Sequence, residues 1–119
     1  MKQWIDEANV NKMDVVVLGD FNEHNNHQNG SDAETIFLDM LTEMNLTDVH
    51  LQFNAHTPLD TWSNKSHKSR IDYIFVNEGL LGSIDLHEVL NIEEILETDH
   101  KALTINIHFK EYIRDDKHW

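Results

Sequence analysis

Residues 15–24 read VVVLGDFNEH. Four apolar residues, three of them valine, run straight into Gly19, Asp20, Phe21 and Asn22. A continuous β-branched run of this kind suits a strand covered on both faces. It stops at a carboxylate and a carboxamide two positions apart. Gly19 frees the backbone where the strand turns out. The pattern fits an ordinary strand exit, and it also fits one corner of an active site. The residues downstream of Asn22 have to decide between the two.

The remaining segments read as an α+β protein. Residues 2–10 suit a short helix with Trp4, Ile5 and Ala8 on one side. Residues 22–30 form a polar loop. Ser31 and Glu34 have capping-box spacing, and Asp32 adds charge at the helix start. Ile36, Phe37, Met40, Leu41 and Met44 then recur at helical spacing, and Asn45 is a natural stop. Residues 60–64 read as a short strand and RIDYIFVN, 70–77, as a stronger one. Residues 85–92 suit another. In residues 102–109, Leu103, Ile105, Ile107 and Phe109 face one way and Thr104, Asn106 and His108 the other. The tail RDDKHW is expected to fray.

Composition narrows the function. The 119 residues carry 22 acidic and 9 basic side chains, a formal charge of −13. That balance disfavours a simple nucleic-acid binder, which relies on Lys and Arg to meet phosphate. It leaves room for an enzyme that gathers carboxylates around a divalent cation. NKSHKSR is the local exception, with Lys65, Lys68 and Arg70 and no acid. It reads either as a solvated loop or as a phosphate-facing one. With no cysteine there is no disulfide or thiolate-metal site. No apolar run approaches a membrane span, and Asp6 and Glu7 near the start do not suit a signal peptide.

Several residues can carry chemistry. Asp72 lies on the face of its strand shared with Ile74 and Val76, where a carboxylate needs a partner. That partner is either a neighbouring Lys or Arg or the imidazole of His100. Asp99 and His100 stand at the entry to the last strand. If Asp72 receives a hydrogen bond from His100, the ring's tautomer is fixed and its charged form favoured. Asp20 at a strand end can activate water, and Asn22 can donate to a phosphoryl oxygen. His24 and His27 are three apart and have no obvious third ligand, so they make a poor zinc site. Hard oxygen ligands suit Mg²⁺ better.

Taken in order, VVVLGDFN, TW, SRIDYIFVN and TDHKAL resemble the endonuclease/exonuclease/phosphatase superfamily, the DNase I-like fold. The wording is similar to its exonuclease III-like branch and to non-LTR retrotransposon endonucleases. The resemblance covers roughly residues 10–109 of a single domain and matches the C-terminal half of the family's four-layer αββα sandwich. It implies one mostly antiparallel sheet with a covering helix, the other face of the sheet lacking its partner. It also implies roles. Asp20 activates water or assists the leaving group, Asn22 holds the phosphate, Asp72 orients His100, and His100 meets the phosphate as charge develops. Asp99, with Asp20, lies at a Mg²⁺ or Mn²⁺ ion. Trp62 packs beneath the site. Lys65, Lys68 and Arg70 with Asn22 are the substrate-binding candidates.

The implied reaction is metal-assisted hydrolysis of a phosphodiester, with DNA as the expected substrate. A phosphatase acting on a phosphoinositide or nucleotide is an open alternative. So is an inactive retrotransposon-derived remnant that acts only by binding. The family's early Asn and metal-binding Glu have no counterpart here. Self-association, or pairing with a missing N-terminal half, is therefore expected, as is a truncated or split gene. No localisation signal is legible; a nuclear site would follow only by analogy with retrotransposons.

Overall fold

A computed structural model describes residues 2–22 and 36–108. The histidines 24 and 27, the capping box at 31–34, Phe109 and the tail lie outside the described residues. In chain order the elements are α1 (Lys2–Val10), β1 (Val16–Asp20), α2 (Ile36–Glu43), β2 (Leu46–Asp48), α3 (Val49–Phe53), β3 (Trp62–Ser63), β4 (Lys68–Ser69), β5 (Asp72–Asn77), α4 (Glu78–Leu81), β6 (Ile84–Leu90) and β7 (Ala102–Ile107).

β5 is the organising strand. It pairs antiparallel with β1 on one side and β2 on the other, giving the order β1-β5-β2. Its alternation sends side chains to two different cores. Tyr73 and Phe75 pack with Ile5, Leu38, Leu41, Met44 and Leu46 under the helical layer. Ile74 and Val76 pack with Val49, Leu80 and Ile84, flanked by Leu103, Ile105 and Ile107. Continuous hydrophobicity in residues 73–76 thus reflects a strand buried on both faces. Each fully buried Leu or Val in these clusters contributes about 1.5–3 kcal/mol.

Three expectations need correction. β1 has the more continuous valine run, yet among the described residues it is an edge strand and is not covered on both faces: Val16 is 40% and Leu18 66% exposed. The last strand does not join the main sheet. β6 and β7 form a separate antiparallel hairpin across the face of Ile74 and Val76, so that face is covered over β5 and open over β1. Trp4 does not share the burial of Ile5; it is 74% exposed.

α2 turns its Leu38, Leu41 and Met44 side inward, with Phe37 and Met40 half-buried and Ile36 exposed. Asn45 ends this segment at a positive φ of 64°, a conformation Asn tolerates well. β2, α3, β4 and α4 carry no sequence pattern long enough to be read. Among the described residues, no helix is long and apolar enough to cross a membrane.

Candidate active site

The end of the β1–β5 pair sets the geometry. Asp20 and Asp72 stand directly opposite each other in register. Like charges in that position repel, so something cationic is needed between them. Gly19 has φ 152°, and a Cβ there would lie 3.3 Å from the Phe21 ring. This backbone lets Phe21 fold into the core, edge-on to Phe37 and stacked on Tyr73. Phe21 anchors the turn and leaves Asp20 and Asn22 exposed on either side. Asp20 Oδ1 then accepts the Asn22 backbone N–H at 2.9 Å.

His100 is brought in by a third segment. The 61–63 strand pairs with 99–101: Lys101 N donates to Thr61 O at 2.7 Å and Ser63 N donates to Asp99 O at 3.1 Å. Trp62 and His100 form the intervening bridge. His100 is therefore delivered beside Asp72 by the TW segment, not by β7 lying next to β5. Its Nδ1 lies 2.8 Å from Asp72 Oδ2. Its Nε2 lies 3.8 Å from both Asp20 Oδ2 and Asp99 Oδ1. The hydrogen bond to Asp72 holds the imidazole above its ordinary pKa, burial opposes this, and the charges of Asp72, Asp20 and Asp99 reinforce it. The group that lies between the two strand-end carboxylates is His100, and their charges favour its protonated form.

Thr61 is the residue that the sequence did not single out. It is fully buried, and its hydroxyl accepts the backbone N–H of Ile71 and of Asp72, each at 3.1 Å. Its own N–H donates to Ser69 O at 2.9 Å. One side chain thus pins the start of β5, where Asp72 sits, to the strand that positions His100. A Thr immediately before Trp62 was the available signal. Trp62 is half-buried beside the cleft and donates from Nε1 to Asp99 Oδ2 at 2.9 Å.

An open cleft is lined by Asp20, Asn22, Trp62, His67, Ser69, Ile71 and His100. Its rim is the β3–β4 hairpin, tightened by Asn64 Oδ1, which accepts the N–H of Ser66 and of His67. Lys65 and Lys68 are exposed on this hairpin. Arg70 is not with them. It turns inward, ion-pairs with Asp48 at 2.8 Å and stacks on Tyr73 at 4.6 Å. A guanidinium so committed is unavailable to substrate.

The donor set suits a hard cation. Asp20, Asp72 and His100 offer ligand atoms within 4.8 Å of one another. Asp72 is occupied by His100, whereas Asp20 and Asp99 are exposed and each bonds elsewhere through its other oxygen. The carboxylate oxygens of Asp20 and Asp99 that face His100 are thus the ones left for a metal ion, with water completing its shell.

Comparisons with known proteins agree with the fold. The solved 3'-5' exonuclease NExo from Neisseria meningitidis superposes with a TM-score of 0.73 at 19% identity. The match covers 91% of this chain and 50% of that one. A structure of the 3' phosphatase NExo from Neisseria, bound to product DNA hairpin, gives a TM-score of 0.70 at 19% identity, with 91% and 53% covered. The chain thus spans about half the length of the solved structures it matches. No curated protein matches its sequence. Residues 1–93 match the profile of the Endonuclease/Exonuclease/phosphatase family. The fold is accordingly the DNase I-like one, in part, and the chain belongs to the Endonuclease/Exonuclease/phosphatase family.

Proposed function

We propose that this chain carries a divalent-metal-dependent site for phosphodiester hydrolysis and that its substrate is DNA. The observation that carries the reading is the 2.8 Å bond from His100 to Asp72, which aims the opposite nitrogen between Asp20 and Asp99 at the cleft. The hydrogen bond to Asp72 raises the ring's pKa and so favours the protonated form of that nitrogen. It then donates to a phosphoryl oxygen as negative charge builds, where a fixed donor is most effective.

Asp20 accepts the proton of the attacking water or assists the departing oxygen. Asn22, at φ 51°, sits on the cleft wall, where its amide can hold the phosphate. Asp20 and Asp99 would hold Mg²⁺ or Mn²⁺, which would polarise the phosphoryl oxygen and acidify water. Lys65 and Lys68 on the rim offset the acidic surface where a nucleic-acid backbone would pass.

DNA is favoured because a structural relative is described as bound to a DNA hairpin. That same relative is described as a 3' phosphatase, which supports a second reading, release of phosphate from a DNA end. The half-length match and the exposed Val16 and Leu18 on the open face of β1 support self-association or pairing with a further segment. The test is a panel of plasmid DNA, 3'-phosphorylated DNA, RNA and an inositol phosphate, with Mg²⁺ and with chelator. Metal-dependent turnover of DNA that disappears in Asp20→Asn is expected. Turnover of the inositol phosphate alone, or metal-independent turnover, would overturn the reading; no turnover at all with DNA binding intact would favour the remnant.

A further inference from the structure

A second cluster of titratable groups lies away from the cleft. His50 in α3 is 1% exposed and His87 in β6 is 8% exposed. Nδ1 of His50 is 2.9 Å from Nε2 of His87. Both outer ends of this pair are fixed by backbone. The N–H of Leu59 donates to His50 Nε2 at 2.8 Å, so that nitrogen carries no proton. His87 Nδ1 lies 2.9 Å from the Thr104 carbonyl, which can only accept, so that nitrogen carries one. Neutral His50 therefore holds its proton on Nδ1 and donates it to the bare Nε2 of His87.

Two protons satisfy the whole chain, and a third has no place. A proton on His50 Nε2 would face the Leu59 N–H. A proton on His87 Nε2 would face the N–H of His50. The surroundings do not compensate. Burial, then the Arg70 guanidinium, then His87 disfavour charge on His50, whose pKa is lowered to about 4; Asp48 alone favours it. The Asp48 carboxylate is already paired with Arg70. β7 contributes the Thr104 carbonyl, Phe53 lays its ring 6.2 Å from that of His87, and the Asn54 amide lies 3.4 Å from His50 Nδ1.

The chain joins α3, the 54–59 turn, β6 and β7. β7 in turn begins two residues after His100. We propose that the His50–His87 pair is a pH-sensitive latch: with both rings neutral it fastens the β6–β7 hairpin to α3, and taking up one proton in acid releases the hairpin and loosens the seat of His100 beside Asp72. The inference rests on hydrogen-bond geometry and stands apart from the hydrolytic reading. The direction follows from linkage. A histidine held neutral in the fold contributes fully above the ordinary imidazole pKa, and that contribution fades as pH falls below it.

The test uses the full chain labelled with ¹⁵N. Imidazole and backbone amide spectra are recorded from the ordinary imidazole range down through the lowered His50 value of about 4. At the upper end both rings are expected as the Nδ1–H tautomer. On acidification His50 is expected to protonate over the same interval in which the amides of β6, β7 and His100 shift. An Nε2–H tautomer on either ring, or protonation that leaves the β6–β7 amides unmoved, overturns the proposal.

The double variant His50→Gln/His87→Gln keeps an acceptor and a donor at each position and removes the titration. Its β6–β7 amide pattern is expected to persist through the pH interval in which the wild-type pattern changes. Release at the wild-type midpoint would overturn the latch. Should the variant not fold, the wild-type titration decides the question by itself.

Discussion

Replacing Thr61 by Val removes one buried oxygen and almost no volume. The Ile71 and Asp72 N–H groups, each 3.1 Å from that oxygen, then have no acceptor. An orphaned buried donor costs about 1–3 kcal/mol. Ile71 is buried, and we assign it about 2; Asp72 is half-buried, and we assign it about 1. The sum, about 3 kcal/mol, corresponds to a fall in melting temperature of roughly 10 °C or more for a domain of this size. Thr61→Ser keeps the oxygen and loses a methyl group, at about 1 kcal/mol. Urea unfolding of the two variants at constant slope isolates the hydroxyl. A second readout is specific to the site: with the Asp72 backbone freed, the raised pKa of His100 is expected to fall back toward the ordinary imidazole value. If Thr61→Val costs no more than Thr61→Ser, Thr61 is filler and does not pin β5.

Asp48→Asn keeps the oxygen that caps α3 but strands the Arg70 charge, and is expected to cost about 3–5 kcal/mol by chemical denaturation. Adding Arg70→Met should recover most of that loss. The pKa of His100 is raised by its hydrogen bond to Asp72, so its stabilisation is complete below the ordinary imidazole pKa and lost as pH rises through the raised value. Turnover that needs the protonated ring should show an alkaline limb at the same place, and Asp72→Asn should move that limb to lower pH. Lys65→Ala with Lys68→Ala should weaken DNA binding and flatten its dependence on log salt by about 1 to 2, while Arg70→Met should leave that slope unchanged.

Several residues of the candidate site could be singled out because its motifs are short and ordered. Asp20 and Asp72 occupy strand ends that the β1–β5 register brings together, Asn22 follows one of them, and Asp99 and His100 precede the last strand. Arg70 was misplaced because its sequence neighbours are exposed lysines. Only the fold reveals that a buried Asp48, in a strand too short to read, claims it. The reading of β1 as doubly covered failed for a related reason: a valine run records what the chain can bury, not what lies against it. The delivery of His100 by residues 61–63 was also out of reach, because two-residue strands leave no periodic trace. Thr61 and the His50–His87 pair went unremarked since a lone Thr or His has no pattern, and their significance lies in partners distant in sequence.

His100 is the residue on which the proposed chemistry depends most directly. The measurement is kcat for Mg²⁺-dependent DNA cleavage by the wild type and by His100→Gln, with circular dichroism confirming that both are folded. Removing a donor aimed at developing charge costs on the order of 10²–10³ in kcat, and a loss of that size with little change in KM is expected. A kcat for His100→Gln within about threefold of the wild type, far short of that loss, would contradict the claim that the Asp72–His100 pair is the catalytic heart of this chain.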